Sequence, residues 1–162
     1  MASATGAERS HDGARGADRN EGRTPAQWFS YIFGSVLVLV GLLGFLVDST
    51  FDTGQPLDGD DLFGVFEING IHNTVHILSG LFLLALAGKR KTARTGALTF
   101  GVIYGIVTVI GLIDGKDVLS LFPVNPYDNV LHIALTVAAI AAALVSKAND
   151  ENGVRGRTAR TA

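Results

Sequence analysis

Four stretches of this chain run for 18 residues or more without a single Asp, Glu, Lys or Arg: Thr24–Val47, Ile68–Gly88, Thr95–Ile113 and Asn129–Ser146. At a rise of about 1.5 Å per residue, such helices cover roughly 27–36 Å, which is the hydrocarbon thickness of a bilayer. A helix in the core of a water-soluble protein carries a polar stripe along its length, and these stretches carry none. The chain therefore reads as an all-α integral membrane four-helix bundle, with spans at about 28–47, 70–88, 95–113 and 127–146. Its 162 residues leave room for one such unit and no second domain of usual size.

Hydrophobic residues make up 48% of the chain, yet mean hydropathy is only +0.34, because both ends are polar. Residues 1–24 are rich in Gly, Ala, Arg, Asp and Glu without apolar periodicity, and residues 148–162 are similar. Both read as disordered tails flanking a membrane domain at 25–147. The apolar run starts too late and is too long for a signal peptide. The basic tail segments "GARGADR" and "GVRGRTAR" hold no aromatic residue, and acids interrupt the first, so solvated tail is preferred to nucleic-acid contact.

Charge is divided by loop. Lys89, Arg90, Lys91 and Arg94 fill the middle loop, and four basic residues lie beyond each outer span. The other two loops hold Lys116 alone among basic residues, but nine of the fifteen carboxylates, including Asp48, Asp61, Glu67, Asp117 and Asp128. The positive-inside rule then predicts a plasma-membrane protein with both termini and the basic loop in the cytoplasm. Trp28 and Tyr31 suit interfacial anchors at that edge. With no cysteine in the chain, disulfides, thiolate nucleophiles and Cys-ligated metals are excluded.

Two apolar spans open on polar residues in the same order. Phe66-Glu-Ile-Asn69-Gly-Ile-His72-Asn73-Thr-Val-His76 aligns with Phe122-Pro-Val-Asn125-Pro-Tyr-Asp128-Asn129-Val-Leu-His132, at an offset of 56. The preceding spans echo each other as Phe33-Gly34 and Gly41 against Tyr104-Gly105 and Gly111. This predicts two two-helix hairpin repeats, related in parallel by an axis along the membrane normal. Asn125 before Pro126 reads as a helix N-cap with proline at the first helical position, and Asn69 is its counterpart. Asp128 then falls in the first turn, where the helix dipole favours it.

The histidines are not explained by capping. His76 and His132 lie seven residues beyond their caps, about 10 Å into the helix. Asn73 with His76, and Asn129 with His132, are spaced i and i+3 and share a face. Small residues continue that face (Gly80; Ala134, Ala138, Ala142), so it is predicted to look into the bundle. The candidate polar cluster is Asn73, His76, Asn129 and His132, with His72 and Asp128 beside it.

With N-x-x-H opening span two and D-N-x-x-H opening span four, the chain resembles a family of small bacterial membrane proteins, domain-of-unknown-function family 4383. The matching residues are Asn69, Asn73, His76, Asn125, Asp128, Asn129 and His132, within about Trp28–Val145. The resemblance implies a four-helix membrane fold and no activity.

The cluster has a structural reading and a ligand-binding one. Asn–His pairs meeting across the axis would satisfy one another, each bond contributing about 1 kcal/mol. Ionisable residues inside a membrane otherwise mark function. Haem propionates would be repelled by the acidic loops. A divalent cation suits them better, but two histidines fall short of the usual three or four zinc ligands, so neither metal nor cofactor is assigned. No ionisable relay reaches the far side of the spans, which disfavours proton transport. No nucleophile elbow, carboxylate pair or phosphate loop is present, so no enzyme is predicted. The expected role is structural or partner-binding in the bilayer, as part of a complex or homo-oligomer, with a metal or small ligand at the cluster as the alternative.

Overall fold

The computed structural model describes residues 22–54, 57 and 59–161; the chain before Gly22, including most of the first tail, lies outside the described residues. Among the described residues, four helices are joined by two β-hairpins and one tight turn. They run in the order α1 (Pro25–Gly44), β1 (Asp60–Leu62), β2 (Phe66–Ile68), α2 (Gly70–Leu86), α3 (Arg90–Asp114), β3 (Asp117–Val118), β4 (Phe122–Pro123) and α4 (Pro126–Thr161). Helices α1, α3 and the Pro126–Lys147 part of α4 are long and apolar enough to cross a membrane; α2, equally apolar, has 17 residues.

The bundle is inverted relative to a water-soluble one. Its outer surface is a sheath of exposed Ile, Leu, Val and Phe, among them Ile32, Val36, Leu78, Ile103, Ile106, Val109 and Val137. Its interior holds His72, Asn73, His76, Asn129 and His132, all buried. Between these polar groups and the terminal end, Phe29, Leu37, Leu83, Phe100, Tyr104, Leu135 and a row of alanines form the apolar core. That arrangement suits hydrocarbon surroundings, where apolar surface costs nothing and polar groups must find partners inside.

Glycines set how closely the helices pack. A Cβ on Gly34 would lie 3.0 Å from the Gly80 carbonyl oxygen, and one on Gly101 would lie 2.8 Å from Ile140 Cγ1. Nearer the hairpins, Gly44 seats the Asn73 amide and Gly111 that of Asn129. Gly34 faces positions 80, 83 and 84, while Gly101 faces 136, 139 and 140, at the same 56-residue offset. Packing therefore pairs Gly34 with Gly101 and Gly44 with Gly111. That register differs by about one turn from the Phe33-Gly34/Tyr104-Gly105 match, because glycines recur often enough on α1 and α3 to permit both.

The terminal end is tied by side chains. Thr24 caps α1 in a capping box with Gln27, whose amide also donates to the Ala87 and Gly88 carbonyls at the end of α2. The Ser146 hydroxyl accepts from Ala26 N at 2.9 Å, joining α4 to the same point. Arg23 lies over the Trp28 and Tyr31 rings, 5.2 Å from each centroid.

Three expectations need correction. The protein is not purely α-helical: β1–β2 and β3–β4 pair antiparallel, with registers Asp61↔Glu67 and Val118↔Phe122. Both turns use left-handed residues at equivalent places, Phe63 and Gly64 in one, Leu119 and Ser120 in the other. Such short strands have no alternation to betray them and are held by bonds from distant residues. Second, α3 begins at Arg90, five residues before the predicted span, since long basic side chains can reach away from apolar surroundings without breaking a helix. Third, α4 continues to Thr161, through the segment expected to be a disordered tail. Extending an existing helix costs far less than nucleating one, so the span carries the polar segment along.

Candidate metal centre

The site is built from the two caps inward. Asn69 Oδ1 accepts His72 N at 2.9 Å, and Asn125 Oδ1 accepts Tyr127 N and Asp128 N at 2.9 and 3.0 Å. Each cap also reaches the opposite hairpin. Asn69 Nδ2 donates to the Leu121 carbonyl at 3.4 Å, and Asn125 Nδ2 to the Val65 carbonyl at 2.6 Å. Val65 and Leu121 occupy the same place in their turns, so the straps are reciprocal. A third link is one-sided: Asp128 Oδ2 accepts Asn125 N at 2.9 Å and, across the gap, Glu67 N at 3.1 Å.

These straps bring α2 and α4 together at their first turns, and three histidines meet there. The ligand atoms of His72, His76 and His132 all lie within 4.8 Å of one another. Ring centroids are 4.7 Å apart for His72–His76, 6.0 Å for His72–His132 and 6.2 Å for His76–His132. Relative exposure is 1%, 7% and 3%, so all three are effectively out of solvent. His72 Nδ1 sits 3.1 Å from the Glu67 carbonyl oxygen, which can only accept; the proton is therefore on Nδ1. His72 Nε2 is buried and meets no hydrogen-bond partner in good geometry. His76 Nδ1 and His132 Nδ1 are likewise buried and unpartnered.

The remaining candidates do other work. Asn73 Nδ2 donates to the Asp48 carbonyl at 2.8 Å, closing the end of α1, and its Oδ1 lies in the seat left by Gly44. Asn129 Oδ1 lies at Gly111 in the same manner. Neither asparagine belongs to the converging set, and Asp128 is committed to its two backbone donors. Sequence reasoning placed His72 only beside the cluster, because it followed the i, i+3 face of Asn73 and His76. The missed signal was His72-x-x-x-His76, an i, i+4 pair that puts two imidazoles on one helix face.

Cavities of about 50 and 70 Å³ flank the His76–His132 pair. The smaller is lined by His72, Val75, Ser79, Tyr104, Val107 and Phe122; the larger by Asp128, Leu131, Val40 and Phe66 among others. Tyr104 presents its ring edge to His132, with centroids 5.4 Å apart, and stacks on Phe100 at 4.0 Å. Phe122 covers His72 from the hairpin side at 5.1 Å.

Among families, the one described as Domain of unknown function (DUF4383) matches residues 27–145. That span contains both hairpins and every residue of the site. Comparison with curated proteins and with solved structures finds no match.

Proposed function

Because the chain belongs to the DUF4383 family, whose description supplies no activity, we propose a function from its own residues: a multi-pass plasma-membrane protein that binds a divalent transition-metal ion at His72, His76 and His132. One observation carries the metal: three buried imidazoles converge, each with an unpartnered ring nitrogen. An unmet polar group in hydrocarbon costs several kcal/mol, roughly, and three on rings whose ligand atoms lie within 4.8 Å of one another favour a common partner. Imidazole nitrogen without thiolate or carboxylate suits Zn²⁺ and its neighbours and does not suit Mg²⁺ or Ca²⁺. Tetrahedral bonds of about 2.0–2.1 Å would put ligand nitrogens about 3.3 Å apart, so the rings close by about 1.5 Å at most. The Glu67 carbonyl fixes the tautomer and aim of His72, as outer-shell groups do for metal-bound imidazoles. Three protein ligands leave a fourth position open, as catalytic and transport sites require and purely structural zinc sites do not.

The surrounding reading is a four-span bundle, with α2 as the short fourth span and two hairpins related by a twofold axis along the membrane normal. The reciprocal Asn69 and Asn125 straps, the paired glycine seats and the two flanking cavities support that relation. Val75, Val107 and Phe122 on one side of the histidine pair correspond to Leu131, Val40 and Phe66 on the other. The charge distribution supports a cytoplasmic position for the termini and the basic turn.

Protein purified without chelator should carry one metal ion per chain by elemental analysis, and Co²⁺ should give the visible absorption of a tetrahedral site. His72→Ala should lower occupancy more than tenfold, while Asp128→Asn should leave it unchanged. Absence of metal in the wild type under both conditions would reduce the cluster to imidazoles around a water and end this reading. Orientation is tested separately. The chain lacks cysteine, so Thr53→Cys should react with an impermeant thiol reagent in intact cells and Gly88→Cys should not. Reversed labelling would overturn the topology.

A further inference from the structure

We infer that the three-histidine centre is served from within the bilayer, and that its fourth ligand is the carboxylate of a long-chain fatty acid. This rests on the metal reading above. The inner cavity shares Ser79, Ile103 and Tyr104 with a groove of about 250 Å³ between α2 and α3. The groove opens sideways onto the lipid-facing surface, where Leu78 is 61% and Ile103 52% exposed, and Phe82 and Thr99 complete its walls. From the hairpin side Phe122 covers His72, and the groove on the apolar flank is the wider opening.

The residues at the junction change character in the direction a fatty acid requires. The outer groove is aliphatic and aromatic and fits a hydrocarbon chain. At its inner end stand two hydroxyls, Ser79 and Tyr104, directly before the histidines. At the corresponding places in the other half stand Leu135 and Leu37, both packed in the core. Nothing in the shared frame demands hydroxyls on one side only.

Charge selects the head group. A divalent ion held by three neutral imidazoles keeps a charge of two, in a region of low dielectric constant where an uncompensated charge is costly. An anionic oxygen ligand offsets that charge, and a neutral alcohol or ester does not. A carboxylate places one oxygen on the metal and offers the other to the hydroxyls of Ser79 and Tyr104. The tail then lies along Phe82 and Thr99 toward the lipid.

The test uses the full chain in detergent, loaded with Co²⁺, and palmitic acid carrying a terminal diazirine. Addition of the acid should shift the Co²⁺ absorption bands. Illumination should label peptides containing Phe82, Thr99 or Ile103, and palmitic acid should compete at least tenfold better than its methyl ester. Ser79→Leu combined with Tyr104→Leu, which copies the other half, should keep the Co²⁺ spectrum and lose the shift and the label. Equal labelling by acid and ester, or labelling indifferent to Co²⁺, would make the groove ordinary lipid-facing surface and overturn the inference. A wild-type chain that takes up no Co²⁺ removes the metal reading and this inference with it, a result visible before any acid is added.

Discussion

The first hairpin (α1 to α2) and the second (α3 to α4) make matching packing and capping contacts and differ in the residues beside the histidine pair. Gly34 and Gly101, Gly44 and Gly111, and Asn69 and Asn125 each perform one job twice, and Asn73 and Asn129 each seat against a glycine. The differences gather beside the histidine pair. His72 stands where the other half has Asp128, Ser79 where it has Leu135, and Tyr104 where it has Leu37. The residues that pack and cap are thus matched between the hairpins, and those beside the histidine pair are not. Asymmetry within a shared frame is where function is best sought in this molecule.

The largest test of that comparison exchanges a packing residue between halves. Gly80 and Thr136 correspond, but a Cβ at Gly80 would stand 2.5 Å from the Gly34 carbonyl oxygen, against backbone that cannot yield. Gly80→Thr should destabilise the fold by about 3 kcal/mol. The reverse exchange, Thr136→Gly, should cost only about 1 kcal/mol, from lost helix propensity and contacts. Equilibrium unfolding in detergent should separate the two; equal effects would break the contrast between the Gly80 and Thr136 positions.

The straps come next. Asn125→Ala removes a cap over two amides and a 2.6 Å bond to Val65, and should cost about 2 kcal/mol. Asn69→Ala removes one capped amide and a 3.4 Å bond to Leu121, and should cost about 1 kcal/mol. Thermal unfolding that ranks them oppositely would show that burial of Asn69 outweighs bond geometry. The smallest contrast is within the histidine pair. His76→Ala and His132→Ala should destabilise the metal-free protein by similar amounts, about 1 kcal/mol each. Their double mutant should cost less than the sum, because both rings line the same two cavities and the second truncation opens space that the first has already opened. Strict additivity would mean that each imidazole answers to its own hairpin.

Apolar length made the helices legible in the sequence, and Asn followed by Gly or Pro marked where α2 and α4 begin. The site was legible in part. His76 and His132 lie on the i, i+3 faces that Asn73 and Asn129 begin, whereas His72 joins them through its i, i+4 relation to His76, which lies outside that face. The β-hairpins were hidden for a different reason. Their strands are two or three residues long, and the bonds that fasten them come from Asn69 and Asn125, 52 and 60 residues away. Local pattern does not report partners at that distance. The match of α1 to α3 slipped by a turn because Gly34, Gly41 and Gly44, set against Gly101, Gly105 and Gly111, allow more than one alignment until packing chooses.

The crossed asparagine straps have a consequence for how the chain is made. A ribosome delivers the first hairpin to the membrane before the second exists, with the Val65 carbonyl and the Asn69 amide both waiting for partners that are still unsynthesised. Helices α1 and α2 can be inserted in that interval, but the hairpin end between them cannot yet be finished. Completion falls to the arrival of Asn125 and Leu121, which supply both missing bonds together. The histidines converge at the same moment, since His132 enters with α4. Biogenesis therefore keeps the three histidines apart until the last helix is in place, and a chain truncated before Pro126 should never bring them together.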